Sequence, residues 1–320
     1  MGILKLLLIA QRSSKQPSQV AGFTLIELLV GLIIAALVIT PLLGFMINIL
    51  QTDRREQAKA NSEQELQIAA EYITRDLDQA VYIYDADGVD AIKGELLDVA
   101  DGEPILVFWK RKFVPDSVPI PSGTNGTTCN NPNNCNDGFV FSLVTYYLIA
   151  DNCVANNWSG CARVGRFELQ DCVRDVDGGN CITGLGRADM TPGFQFDLRT
   201  LPGQTLTQRL NNWTSGTFDA NASPNILLDY IDHTTAAVPA APACPNDPRW
   251  QLVPDTDAAN GFYACVDSTS NQTAQVFLRG NALGRLNPKD KIPVYDDKIS
   301  TFFPSAQLQA TGSGRLSINN

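Results

Sequence analysis

Histidine is all but missing from this chain: His233 stands alone among 320 residues. A Ser-His-Asp or Cys-His site would have to be built on it. Asp232-His233-Thr234 lies beside a polar loop without a nucleophile elbow, so the residue reads as a surface histidine. The same scarcity removes histidine as a zinc ligand, and no Cys-x-x-Cys pair replaces it. The sequence also lacks a phosphate-binding glycine loop and a dinucleotide fingerprint. Its 34 acidic residues are too many for any pair of carboxylates to mark a general acid and base. Nothing in this inventory asks for an enzyme or a soluble cofactor.

Charge of one sign is missing at the amino terminus. Residues 1–22 hold Lys5, Arg12 and Lys15 but no acid, and Gln11-Arg12-Ser13 offers no small-x-small site for signal peptidase after the short apolar patch. The formal charge of the chain is −10; without this leader, 21 basic face 34 acidic residues, a balance of −13. So acidic a surface argues against holding nucleic acid through its phosphates, Lys110-Arg111-Lys112 being a local basic exception. From Phe23 to Leu50 the only ionisable side chain is Glu27. At ~1.5 Å per residue that run suffices to cross a hydrocarbon core of roughly 30 Å. A carboxylate inside such a helix costs roughly 2.5–3.5 kcal/mol on insertion scales and marks function by default. Glu27 therefore needs a cation.

Gly22-Phe23-Thr24-Leu25-Ile26-Glu27, followed by the apolar run, resembles the prepilin signature of type IV pilins and of type II secretion pseudopilins. The resemblance implies cleavage after Gly22 by a membrane-embedded prepilin peptidase and N-methylation of Phe23. It also implies pairing of Glu27 with the terminal amine of a neighbouring subunit in a filament, which supplies the cation. Other pilins or pseudopilins and an inner-membrane assembly platform are the implied partners. Tyr72 to Ala80 is similar to the helix end of J-type pseudopilins and W-type minor pilins, and the combination with a large C-terminal region resembles hormogonium polysaccharide-secretion pseudopilins. Leader charge and cysteine placement agree with the positive-inside rule: leader cytoplasmic, C-terminal region periplasmic. The expected course is a single pass through the inner membrane, then a filament serving secretion or motility.

The organisation expected is a leader at 1–22, a membrane or filament-core helix at 23–50, an amphipathic helix at 51–84 and a β-rich domain at 85–320. Pro41 and Gly44 predict a kink or local unwinding between residues 37 and 44. Beyond Leu50 the helical period continues through Leu66, Ala69, Ala70, Ile73, Leu77, Ala80, Val81 and Tyr84. This stripe needs a sheet as its cover. Strands are predicted at 105–109, 139–149, 164–169, 226–231, 262–266 and 274–278, where β-branched and aromatic residues concentrate. Loops are predicted at 115–138 and 234–248, and a loosely held tail from Pro304. The fold class is α+β and pilin-like: a long N-terminal helix packed on a mostly antiparallel sheet with disulfide-pinned insertions.

All eight cysteines lie beyond the membrane helix, as an oxidising compartment would have them. Eight cysteines allow 105 connectivities. Short spacing favours Cys129 with Cys135, Cys153 with Cys161, Cys172 with Cys181, and Cys244 with Cys265, each loop restraining the unfolded chain by roughly 2–3 kcal/mol. Asp85-Ala-Asp87-Gly88-Val-Asp90 and Asp175-Val-Asp177-Gly178-Gly-Asn180 alternate oxygen ligands around a glycine as calcium loops do. Neither has the full loop with a closing glutamate, and both read first as acidic turns, with Asp175, Asp177 and Asn180 the calcium candidates. Core packing accounts for most of Phe108, Trp109, Phe113, Phe139, Phe141, Tyr146 and Tyr147. Trp158, Trp213 and Trp250 stand near Asn, Ser and Thr, as on a glycan-stacking surface, so a pilus-tip adhesin is the second reading and a membrane-anchored enzyme the third.

Overall fold

The computed structural model describes residues 22–119, 135–150, 161–174, 181, 189–195, 201–235, 244–255 and 261–314. The leader through Ala21, Cys129, Cys153, Trp158 and the calcium candidates Asp175, Asp177 and Asn180 lie outside them. The chain divides into two compact units, Met1–Asp53 and Arg54–Asn320. Helix α1 (Leu25–Asp78) runs through both. Its course is uninterrupted at Pro41, so the unwinding expected at residues 37–44 is absent. A helix this long loses one backbone donor there and keeps the turns on either side.

The second unit is built on the polar half of α1. Ala58, Ser62, Leu66, Ala69, Ile73, Asp76 and Leu77 recur every three or four residues and form the buried face. The helix stops at Asp78, not at Tyr84. Ala80-Val81-Tyr82-Ile83 forms strand β1 (Ala80–Ile83), buried on both sides. A helix would bury only one side of this β-branched and aromatic run, whereas a strand inside a core buries both.

After β1 come α2 (Ala86–Ile92), β2 (Gly102–Pro119), β3 (Cys135–Ala150), β4 (Ala162–Gln170), α3 (Leu206–Asn211), β5 (Asn225–Leu228), β6 (Trp250–Val253), β7 (Phe262–Asp267), β8 (Thr273–Arg279) and β9 (Ser305–Thr311). Two antiparallel sheets result, ordered β1-β2-β3-β4-β5 and β6-β7-β8-β9. Side chains of α1 and both sheets share one apolar core, from Leu66 and Ile73 through Phe108 and Val144 to Phe262 and Val276. Residues 115–119 and 135–138, expected in a loop, extend the β2–β3 pair. Bridges Cys172–Cys181 and Cys244–Cys265 are present, and Cys135 and Cys161 are also disulfide-bonded.

Between Pro304 and Gly314 the tail is not loose. β9 pairs with β8 along its whole length, and Gly312 and Gly314 lie against β1. A Cβ at Gly312 would stand 2.3 Å from the carbonyl oxygen of Ala80, so only glycine permits this approach. Ser313 then donates through both its N–H and its hydroxyl to the carbonyl of Asp78, satisfying an end group that α1 leaves open.

One polar cluster fastens the helix end to the first sheet. The carboxylate of Asp76 accepts from Lys110 Nζ at 2.8 Å on β2, Tyr146 Oη at 2.7 Å on β3 and Arg166 Nε at 2.6 Å on β4. Glu168 completes the cluster, accepting from Arg166 at 2.9 Å and Ser142 at 3.0 Å. Burial raises the pKa of both acids. The hydrogen bond of Arg166 and the charge of Lys110 outweigh it at Asp76, and the charges of Lys110, Arg166 and Lys112 outweigh it at Glu168, which falls to about 2. Burial, reinforced by the charge of Asp76, pushes the Tyr146 phenol well above its ordinary value.

Removing one partner from such a cluster strands the others. Asp76→Ala is expected to cost about 3–5 kcal/mol in urea denaturation of the detergent-solubilised chain. Glu71→Ala, which breaks the exposed pair with Arg75, should change stability by less than about 0.5 kcal/mol.

The depressed pKa values fix the sign of the acid response. The contribution of Glu168 is complete above its unfolded value of about 4.5 and is lost as pH falls through about 2, a difference on the order of 3 kcal/mol. Stability measured from pH 5 to pH 2 should therefore decline more steeply in wild type than in Glu168→Gln.

Candidate assembly site

The site begins where α1 begins. Thr24 is its N-cap: the hydroxyl accepts from the N–H of Glu27 at 3.3 Å, and the Thr24 carbonyl accepts from Leu28 at 3.2 Å. Thr24-Leu25-Ile26-Glu27 has the spacing of a capping box, so Glu27 occupies the first turn, where the helix dipole favours an anion by about 0.3–1 kcal/mol. That local role is smaller than the cost of a carboxylate in hydrocarbon. Capping alone does not explain Glu27.

Every described residue from Gly22 to Asp53 is exposed. Phe23 is 83 % exposed, and Leu25, Ile26, Leu28, Leu37 and Phe45 are each above 60 %. An apolar helix surface open on all sides calls for lipid or other helices around it. The helix is long and apolar enough to cross a membrane by length and composition.

Gly22 precedes the first turn, and a Cβ placed on it would meet nothing within 4 Å. Neither packing nor backbone conformation calls for glycine there. A requirement for glycine at position 22 must come from something that acts on the chain.

The other sequence candidates fall elsewhere. Asp85 caps α2 by accepting from Gly88 N–H at 2.9 Å and takes a further bond from Asn271, while Asp87 accepts from Gln251. That segment is a helix start. His233 is half-buried, and burial lowers its pKa against a smaller opposing effect of Asp232. Asp232 itself is held by Arg279 at 2.7 Å and by Thr234, not by the imidazole. Trp213 is buried, 5.6 Å edge-to-face from Trp109, and contributes to the core. Trp250 is partly buried against the cluster of Tyr263, Cys265 and Phe277. Conversely Phe113 and Phe139, expected in the core, are half exposed, with the Arg111 guanidinium 3.9 Å above the Phe139 ring. The capping role of Thr24 went unread, although the T-x-x-E pattern signals it.

Together these features define a chain with a membrane-capable N-terminal helix whose first turn carries an isolated acid beside an unconstrained glycine. The family model for the prokaryotic N-terminal methylation motif matches residues 17–43. This prepilin-type motif supports the type IV pilin and pseudopilin family. Comparison with curated proteins and with solved structures finds no significant match.

Because Gly22 touches nothing, Gly22→Ile should leave the fold unchanged and block processing. Full-length precursor with wild-type circular dichroism is the expected result, read by immunoblot against the processed wild type.

Proposed function

We propose that the chain is a minor pilin or pseudopilin, a structural subunit and not an enzyme. Prepilin peptidase cuts after Gly22 and Phe23 becomes the N-methylated first residue. The subunit then leaves the inner membrane, with its C-terminal body periplasmic, and enters a filament through the exposed half of α1. The assembly platform in that membrane and other pilins or pseudopilins are its partners.

The observation that carries this reading is Glu27: one acid in an apolar helix surface, four positions past the residue that cleavage would expose. A new amine on Phe23 of a neighbouring helix offsets the carboxylate and sets the axial register between the two. Two sheets with disulfide-bonded insertions favour a place near the filament tip, where fewer neighbours compete for space. The Tyr72–Ala80 segment, which carries Asp76, supports the J-type or W-type assignment, and a role in polysaccharide secretion or motility follows from that resemblance. The glycan-binding alternative draws less support, since Trp213 is a core residue.

Mass spectrometry of the mature protein should find methylated Phe23 at the amino terminus. Glu27→Ala should still be processed and folded, yet fall at least tenfold in sheared filament fractions. An unprocessed wild-type chain, or undiminished incorporation of Glu27→Ala, would sink the reading.

A further inference from the structure

We propose that the outer edge of β9 is a strand-addition surface whose partner is β9 of a second copy of this chain. Among the described residues, one row of β9 backbone groups is free. Gly312 N–H donates to the Gln272 carbonyl and Gly280 N–H to the Pro304 carbonyl, both 2.8 Å. With the unshifted register between, these bonds turn the backbone groups of Ala306, Leu308 and Ala310 toward β8. Ser305, Gln307, Gln309 and Thr311 therefore present their N–H and C=O groups outward, at the end of the sheet.

Sheet edges invite pairing, and proteins blunt them with charge, proline, bulges, shortness or cover. Among the described strands, the other three sheet edges are blunted. β1 is overlaid by Gly314, which donates to the Ala80 carbonyl, and by Asn271, which bonds to Ile83. β5 and β6 are four residues each, and Gln251 of β6 is engaged by α2. β9 has seven residues, a regular register and no proline. No charged residue occurs from Ile299 to Gly314.

The occupant follows from the pattern. An antiparallel pair of β9 strands related by a two-fold axis at Leu308 sets Ser305 opposite Thr311 and Gln307 opposite Gln309, outward groups meeting outward groups. About eight backbone hydrogen bonds would form. The same side-chain pairs already work inside the sheet: Gln275 donates to Gln309 at 2.9 Å, and the hydroxyls of Thr273 and Thr311 lie 3.1 Å apart. Leu308, half-buried, meets its own counterpart and extends the apolar layer. Elsewhere two copies of a chain at −10 repel, so the uncharged edge is where they can approach.

Sedimentation of the full chain in detergent, with amide exchange of β9 peptides, tests this. Wild type should dimerise reversibly, with protection of Ser305–Thr311 rising with concentration. Gln307→Lys combined with Gln309→Lys sets lysine against lysine twice and should raise the dimer Kd roughly tenfold or more. Gln307→Lys combined with Gln309→Glu sets opposite charges together in this register and should restore it. Gln309→Pro, which removes an outward N–H and the exposed side-chain bond from Gln275, should also abolish the dimer while near-ultraviolet circular dichroism stays native. A monomeric wild type, equal association of all edge variants, or a crosslinker at Gln307 that captures a different polypeptide would each overturn the proposal. Glu27→Ala should dimerise normally, so failure here and failure of the filament reading are separable.

Discussion

One helix must satisfy two surroundings, and that constraint shapes the rest of the molecule. From Leu25 to Asp53 α1 is apolar and exposed on every side; from Ala58 to Leu77 it turns one face into a core. No uniform amphipathic pattern could do both. The first half needs lipid or other apolar helices all around it, whereas the second needs a polar back and a narrow apolar stripe. The change in composition past Leu50 is the sequence's answer, and the backbone carries on through it without a break.

Two acids on this helix face the same electrostatic problem and meet it differently. Asp76 gathers Lys110, Tyr146 and Arg166 from three successive strands, so its charge is neutralised by folding. Its desolvation is offset inside the chain, and the cluster fixes where the helix end sits on the sheet. Glu27 has no cation in hydrogen-bond reach among the described residues; its first turn supplies only the Thr24 cap and the dipole. The contrast separates an acid whose charge folding neutralises from one that, under the proposed function, assembly would neutralise. A membrane makes the second condition costly, and that cost is what the proposed pairing of Glu27 with a neighbouring amine would relieve.

Much of this was legible in the sequence, for physical reasons. The methylation motif, the α1 stripe through Leu77 and strands β2, β3, β4, β7 and β8 all announce themselves by period or by β-branched and aromatic density. The end of α1 did not, because Ala80, Val81 and Tyr84 continue the three-and-four spacing as well as they suit a strand; sheet pairing with β2 decided it. β9 was missed because Ser-Ala-Gln-Leu-Gln-Ala-Thr has little intrinsic strand preference, and β8 supplies what composition does not. Nothing in the sequence singles out Asp76, Arg166 and Glu168 as one cluster. Periodicity cannot say that a polar residue on one element will meet donors from three others.

The weakness of β9 as a strand by composition bears on its place in the fold. A strand with one leucine and two alanines on its inner face adds little burial, so aggregation pressure toward ordinary hydrophobic partners is low. What β9 does offer is directional: backbone groups at strand spacing, framed by small or amide side chains. Such an edge discriminates by register and geometry, not by apolar area, and amide and hydroxyl pairs lose most of their value when slipped by one residue. Under the proposed function the other contacts of the subunit run through a non-directional apolar helix, and the β9 pair we propose would add one that is directional.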